Sequence, residues 1–128
     1  MAAQRDTTQR QAIRQVFQDA DRPLSTREVL EAARRFHPRI GIATVYRALK
    51  LLVDSGFITV IRLPGEPPRY ERSGKPHHHH FHCRQCGRVV EVPGSDALLA
   101  ALVPPGFTLE HHDVVLYGRC DECTRGGR

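Results

Sequence analysis

Two cysteine pairs limit what this chain can fold into more than any other feature. Cys83 and Cys86 have two residues between them and are followed by Gly87; Cys120 and Cys123 repeat the spacing. Such a pair grips one cation while a glycine permits the tight turn. Two pairs complete a tetrahedral four-sulfur shell, the structural zinc pattern. The stretch between the pairs is longer than in a simple zinc ribbon, so a small domain must fold around the site. A chain of 128 residues divided in this way has little core in either part. A metal staple or a second copy is the usual remedy. Disulfides and free thiols are the competing readings. No charged-then-apolar leader opens the sequence, so the expected setting is a reducing cytoplasm, where metal binding is favoured. No apolar stretch is long enough to span a bilayer, so no membrane partner is expected.

The residues before the first pair, His77, His78, His79, His80, Phe81 and His82, carry five imidazoles. A retained purification tag is the bland alternative, but the run is internal and short. In an extended strand side chains alternate, so His78, His80 and His82 face one way and His77 and His79 the other. One strand can then feed two metal sites. Imidazole suits zinc, iron, copper or nickel, and added carboxylates widen the choice to manganese. Residues 88–92 read as a return strand carrying Glu91. Residues 96–102 read as a short helix stopped by Pro104, Pro105 and Gly106. Residues 107–112 and 114–117 read as further strands leading to Cys120.

Charge separates the front from the back. Residues 1–72 hold 13 Lys and Arg against 8 Asp and Glu, and the remainder holds 6 of each, so the net +5 lies entirely in the front. Basic surfaces are common, and this one gains meaning only from the helices beneath it. Thr8 and Gln11 have capping-box spacing, followed by Ile13, Val16, Phe17 and Ala20 on one helical face. Ser25 and Glu28 form a second capping box, with Leu24 and Val29 as a hydrophobic staple. Val29, Leu30, Ala33 and Phe36 are the expected buried face, and Pro38 ends the helix. A third helix is predicted over 42–54, with Val45, Leu49, Leu52 and Val53 inward and Gly56 as the C-terminal cap. Short strands at 57–63 and 69–72 follow, joined by a proline-rich loop as an edge hairpin.

Three helices and a hairpin make a winged helix-turn-helix, whose recognition helix enters the major groove of DNA. Tyr46, Arg47 and Lys50 lie on the face of the third helix opposite the core. Arginine suits bidentate contact with guanine, and lysine suits phosphate. Arg5, Arg10 and Arg14 are candidates for flanking phosphates or a minor groove. The alternative is that Tyr46 packs on the bundle and the arginines form a solvated face. The expected class is α+β: a winged helix-turn-helix DNA-binding domain over 1–72, then a small α/β dimerisation domain with a four-cysteine zinc site over 77–128.

Ala43-Thr44-Val45-Tyr46-Arg47, Tyr70-Glu71, the His77–His80 run, Cys83-x-x-Cys86-Gly87, Glu91, His112 and Tyr117-Gly118 before Cys120-x-x-Cys123 together resemble the ferric uptake regulator family. The resemblance covers nearly the whole chain. It implies a homodimeric, metal-activated repressor with a hinge near residues 72–76, binding a palindromic operator in double-stranded DNA. It implies structural zinc on the four cysteines. It implies a regulatory site of Glu71, His78, His80 and Glu91, and a further site of His77, His79 and His112, to which Asp96 is the candidate carboxylate. Two positions depart from the family pattern. Pro23 stands where a front-domain histidine often contributes a ligand, and His82 replaces an apolar residue.

A mixed nitrogen and oxygen shell fits Fe(II) or Mn(II) and tolerates zinc. The resemblance implies that zinc sensors of the family often place a cysteine in this site, and none remains beyond the four, so the expected sensed ion is Fe(II) or Mn(II). A zinc uptake regulator is the alternative. A peroxide sensor ranks below it, because Glu71 and Glu91 stand where such sensors carry aspartates. A zinc-dependent hydrolase or deaminase would need an open three-ligand site with a separate glutamate base, and the deaminase pattern is absent. A metal buffer would not need the basic helix face. The expected protein is therefore not an enzyme.

Overall fold

The computed structural model describes residues 2–75, 77–93 and 96–126, with the side chains of residues 2–7 and 96 outside the description. The chain divides into two compact units, Met1–Gly74 and Lys75–Arg128.

The first unit is a winged helix-turn-helix. Its elements are α1 (Ala2–Asp19), β1 (Leu24–Ser25), α2 (Thr26–Ala33), α3 (Ile42–Asp54), β2 (Ile58–Ile61) and β3 (Arg69–Arg72). The first helix begins well before the Thr8 capping box expected from sequence. Ala2, Ala3, Gln4 and Arg5 are good helix formers with no breaker among them, so propensity carries the helix through Thr8. The Ser25 box forms as expected: Ser25 Oγ accepts from Glu28 N–H at 3.1 Å, and Glu28 Oε1 accepts from Ser25 N–H at 2.9 Å. Leu24 and Val29 are both buried, as a staple requires. The second helix stops at Ala33, which leaves Phe36 beyond it and exposed, against the expectation that it packs inward.

The third helix has the predicted limits. Val45, Leu49 and Leu52 are buried, and Gly56 adopts φ +81°, the left-handed conformation that ends a helix. The wing is larger than the expected hairpin. Leu24 and Ser25 add a third strand, giving the order β1-β3-β2 with β3 central. Prolines are confined to the loop before β3, so its central position costs no ladder hydrogen bond. Ile13, Val16, Phe17, Val29, Val45, Leu49 and Ile58 belong to one continuous apolar cluster. Glu28 also binds Arg22 at 2.7 Å and the buried Arg69 at 3.1 Å, tying α2 to the sheet. Partial burial acts to raise the Glu28 pKa. The Ser25 N–H and the Arg22 guanidinium outweigh it and hold the carboxyl below its ordinary value.

The second unit contains β4 (His78–Cys83), β5 (Val89–Pro93), α4 (Asp96–Ala100), β6 (Val115–Gly118) and α5 (Asp121–Arg125). Its sheet has the order β5-β4-β6, with β5 antiparallel and β6 parallel to the histidine strand. Residues 107–112 form no strand, contrary to expectation. Their alternating side chains are mostly exposed, and no ladder partner pairs with them among the described residues. The helix α5 was not expected. Cys120 is its N-cap, and Asp121 and Glu122 place negative charge at its N-terminal turn. Among the described residues no helix is long and apolar enough to cross a membrane.

Candidate functional site

The four cysteines converge because two turns deliver them. Cys83 closes β4, where its N–H donates to Arg88 O at 2.9 Å, and Gly87 turns the chain at φ +81°. Cys120 and Cys123 come from the start of α5. The Cys83–Cys123 sulfurs are 3.7 Å apart and the Cys86–Cys120 sulfurs 3.8 Å. A disulfide needs about 2.05 Å, whereas two thiolates on a tetrahedral zinc at about 2.3 Å lie about 3.8 Å apart. All four sulfurs lie within 4.8 Å of one another. The residues therefore fit a four-sulfur zinc site.

Local electrostatics favour a cation there. Backbone N–H groups of Cys86 and Cys120 donate to Cys83 Sγ at 3.4 and 3.3 Å. The Cys86 N–H is the chief cause that draws the Cys83 thiol down to about 5, against opposing desolvation. Desolvation, with the neighbouring sulfurs, pushes Cys123 up to about 12. One thiolate forms readily, and further negative charge among packed sulfurs is resisted until a cation neutralises it. Arg88 braces the two turns by binding Asp121 at 2.7 Å and Glu122 at 3.6 Å.

The histidine strand presents two faces, as alternation predicts. On one, His77, His79 and His112 bring ring nitrogens within 4.8 Å of one another. The His77 and His112 Nε2 atoms are 3.1 Å apart, and His79 is buried. On the other face the His78 and His80 rings are 4.9 Å apart, and His82 lies buried beside Tyr117 at 5.8 Å between centroids. Glu91 stands opposite His80 in the β4–β5 register. Its carboxylate is ion-paired with Lys75, a partner that sequence reasoning missed. Glu71 belongs to β3 of the first unit, opposite Thr59. Asp96 opens α4, but its side chain lies outside the described residues, as does that of Arg5. Pro23 is fully buried in the first unit.

The third helix turns Tyr46, Arg47 and Lys50 outward while its opposite side is buried. Arg47 Nη2 donates to Thr44 Oγ1 at 3.1 Å, which steadies the guanidinium on the exposed face. Arg10 of α1 joins Thr44, Arg47, Ala48 and Leu51 around a shallow cleft of about 190 Å³. Arg14 is instead stacked over the Phe57 ring at 4.1 Å, so its charge serves packing between α1 and the wing. Lys50 is held only loosely by Asp54, at 3.8 Å on the surface.

Known proteins are similar to this chain over most of its length. The model of the ferric uptake regulator family matches residues 2–117. The chain is 32% identical to a ferric uptake regulation protein of Campylobacter jejuni, over 91% of this chain and 78% of that protein. It is 34% identical to a zinc uptake regulation protein of Mycobacterium tuberculosis, over 95% and 96%. Among solved structures, the Helicobacter pylori ferric uptake regulator, described as having three functional metal-binding sites, superposes with a TM-score of 0.70 at 28% identity. That match covers 91% of this chain and 80% of the other. With the four-sulfur cluster, the imidazole strand and the basic helix in place, the chain belongs to the ferric uptake regulator family of metal-dependent transcriptional regulators.

Proposed function

We propose that the protein is a cytoplasmic, homodimeric repressor whose affinity for a palindromic DNA operator rises when Fe(II) or Mn(II) binds. It is a regulator and not an enzyme. The carrying observation is the strand β4. It ends in the four-sulfur cluster and presents imidazoles on both faces, so structural and regulatory metal chemistry are separated along six residues. Cys83, Cys86, Cys120 and Cys123 would hold zinc. His78, His80 and Glu91, with Glu71 added by the family motif, would hold the regulatory ion. His77, His79 and His112, with Asp96 as the candidate carboxylate, would form the third site.

When bound, the regulatory ion would supply a divalent charge and a fixed coordination geometry. Its ligands select the DNA-competent state only in so far as they bind the ion better in that state, and DNA must then tighten metal binding by the same factor. Tyr46 and Arg47 would read bases, and Lys50 and Arg10 would hold phosphates. Exposed Leu98, Leu102, Phe107 and Leu116 give the second unit an apolar surface suited to a second copy. Nitrogen and oxygen ligands favour Fe(II) or Mn(II). Zinc sensing is the second reading, favoured by the three-imidazole set His77, His79 and His112, which suits zinc.

The test is metal analysis of protein purified without added metal, followed by operator binding with Fe(II), Mn(II) and Zn(II) in turn, the cysteine site being kept zinc-loaded. Fe(II) or Mn(II) should raise affinity at least tenfold. Equal affinity with and without the second metal would refute the proposal; a response to zinc alone would select the second reading.

A further inference from the structure

Glu91 and Lys75 form an ion pair within the second unit, and both side chains are largely withdrawn from water, at 14% exposure for Lys75 and 25% for Glu91. Glu91 is the cross-strand neighbour of His80. Directly opposed residues on one sheet face have Cβ atoms about 5 Å apart, so Glu91 starts beside the His78–His80 imidazole pair. The carboxylate is nevertheless engaged by an ammonium group supplied by the chain itself.

We propose that Lys75 is an internal competitor for the regulatory cation: its ammonium holds the Glu91 carboxylate until a divalent ion displaces it. This inference rests on Glu91 being a regulatory ligand. The chemistry suits a lysine. Its compact charge sits on a flexible four-carbon stem, so it can neutralise a shielded carboxylate and then swing to water. A carboxylate left alone at such depth would be an uncompensated charge and would seize cations indiscriminately. With Lys75 in place, only an ion that gains the carboxylate and the imidazoles together recovers what displacing the ammonium costs. Lys75 therefore lowers affinity and sets a threshold concentration, while weakly coordinating cations are excluded.

The test is Mn(II) binding to the zinc-loaded full chain, followed by the electron paramagnetic resonance signal of the free ion. Lys75→Met should tighten Mn(II) by about tenfold, the order expected for releasing a partly buried carboxylate from its ion pair. Lys75→Arg, which keeps the charge, should bind Mn(II) no more tightly than the unaltered protein. In a Glu91→Gln background, Lys75→Met should change nothing, because the two substitutions act on one interaction. If Glu91→Gln weakens Mn(II) but Lys75→Met does not tighten it, competition is wrong and the ligand assignment stands. If Glu91→Gln leaves Mn(II) affinity unchanged, the assignment fails and the competitor falls with it. Tightening by Lys75→Arg equal to that by Lys75→Met would trace the effect to packing and overturn the proposal.

Discussion

Among the described residues of the first unit, twelve buried apolar ones from all three helices, β1, β2 and the loop before α3 pack as one cluster. In the second, the buried side chains among the described residues are Cys83, Cys120, His79 and His82, with Val89 the lone hydrocarbon. The front unit hides carbon, and the back unit hides thiols and imidazoles, side chains of the kind that can bind metal. Burial of apolar area stabilises at roughly 25 cal/mol per Å² without any partner. Burial of thiols and imidazoles contributes less by this route and gains most when an ion binds them. The same contrast appears at the surface, where the back unit exposes Leu98, Leu102 and Phe107 that it cannot cover. The front unit should therefore be stable by itself in the metal-free chain, and the back unit should depend on metal and on a second copy.

The largest expected effect tests that dependence. Removing zinc with a chelator, or substituting Cys120→Ser, should unfold the second unit, since structural zinc contributes about 10–16 kcal/mol in small zinc-dependent peptides. Amide-exchange protection should vanish from β4, β5 and β6 and persist in α1, α2 and α3. Retained protection in the sheet after zinc loss would break the comparison. The converse variant is Leu49→Ala. Leu49 is 1% exposed, and a large-to-small change in such a core costs about 2–5 kcal/mol. It should lower the melting temperature of the front unit and leave the zinc content at one ion per chain.

The two units also differ in how far their order could be read from residues alone. The third helix was legible to its ends because apolar spacing, an outward basic face and a glycine cap agree there. The Ser25–Glu28 box was legible because both partners are local. The four cysteines were legible because spacing nearly determines their chemistry. What escaped needs distant partners. The short strand β1 exists only because β3 passes beside it. Residues 107–112 alternate like a strand, but alternation cannot supply a neighbour to pair with. Lys75 meets Glu91 across 16 positions of sequence, from outside the ladder that pairs Glu91 with His80. The helix α5 is too short for periodicity; the signal that marks it is the acidic pair after Cys120.

A smaller effect is expected where charge supports the front core. Glu28→Gln keeps a capping side chain but removes the charge facing Arg22 and Arg69. The cost should be about 1–3 kcal/mol, because Arg69 is left buried with a weakened partner. The sign of the pH dependence follows from the lowered pKa of Glu28. Its contribution is full above the ordinary carboxylate value of 4.5 and is lost as pH falls through the lower folded value. The stability gap between the unaltered protein and Glu28→Gln, from urea unfolding at a series of pH values, should therefore close on acidification below that range. A gap that stays constant to the lowest pH would mean the charge contributes nothing.

The smallest effects separate two kinds of DNA contact within the front unit. Arg47 lies on the outward face of the recognition helix, and Arg10 reaches the same cleft from α1. If Arg47 reads a base, Arg47→Ala should lose roughly 1–3 kcal/mol on the operator and much less on unrelated DNA. If Arg10 holds a phosphate, Arg10→Ala should weaken both sequences alike. It should also make the plot of log affinity against log salt shallower by about one unit, since one fewer counterion is released. Neither variant should alter zinc content or Mn(II) affinity measured without DNA, because neither residue is among the ligands assigned to any of the metal sites. Titrations of both variants at three salt concentrations, against operator and scrambled duplex, distinguish the roles. A sequence-selective loss in Arg10→Ala would move base reading onto α1. A change in Mn(II) binding without DNA would show that the basic helix and the metal-binding strand are not the separate devices their different cores suggest.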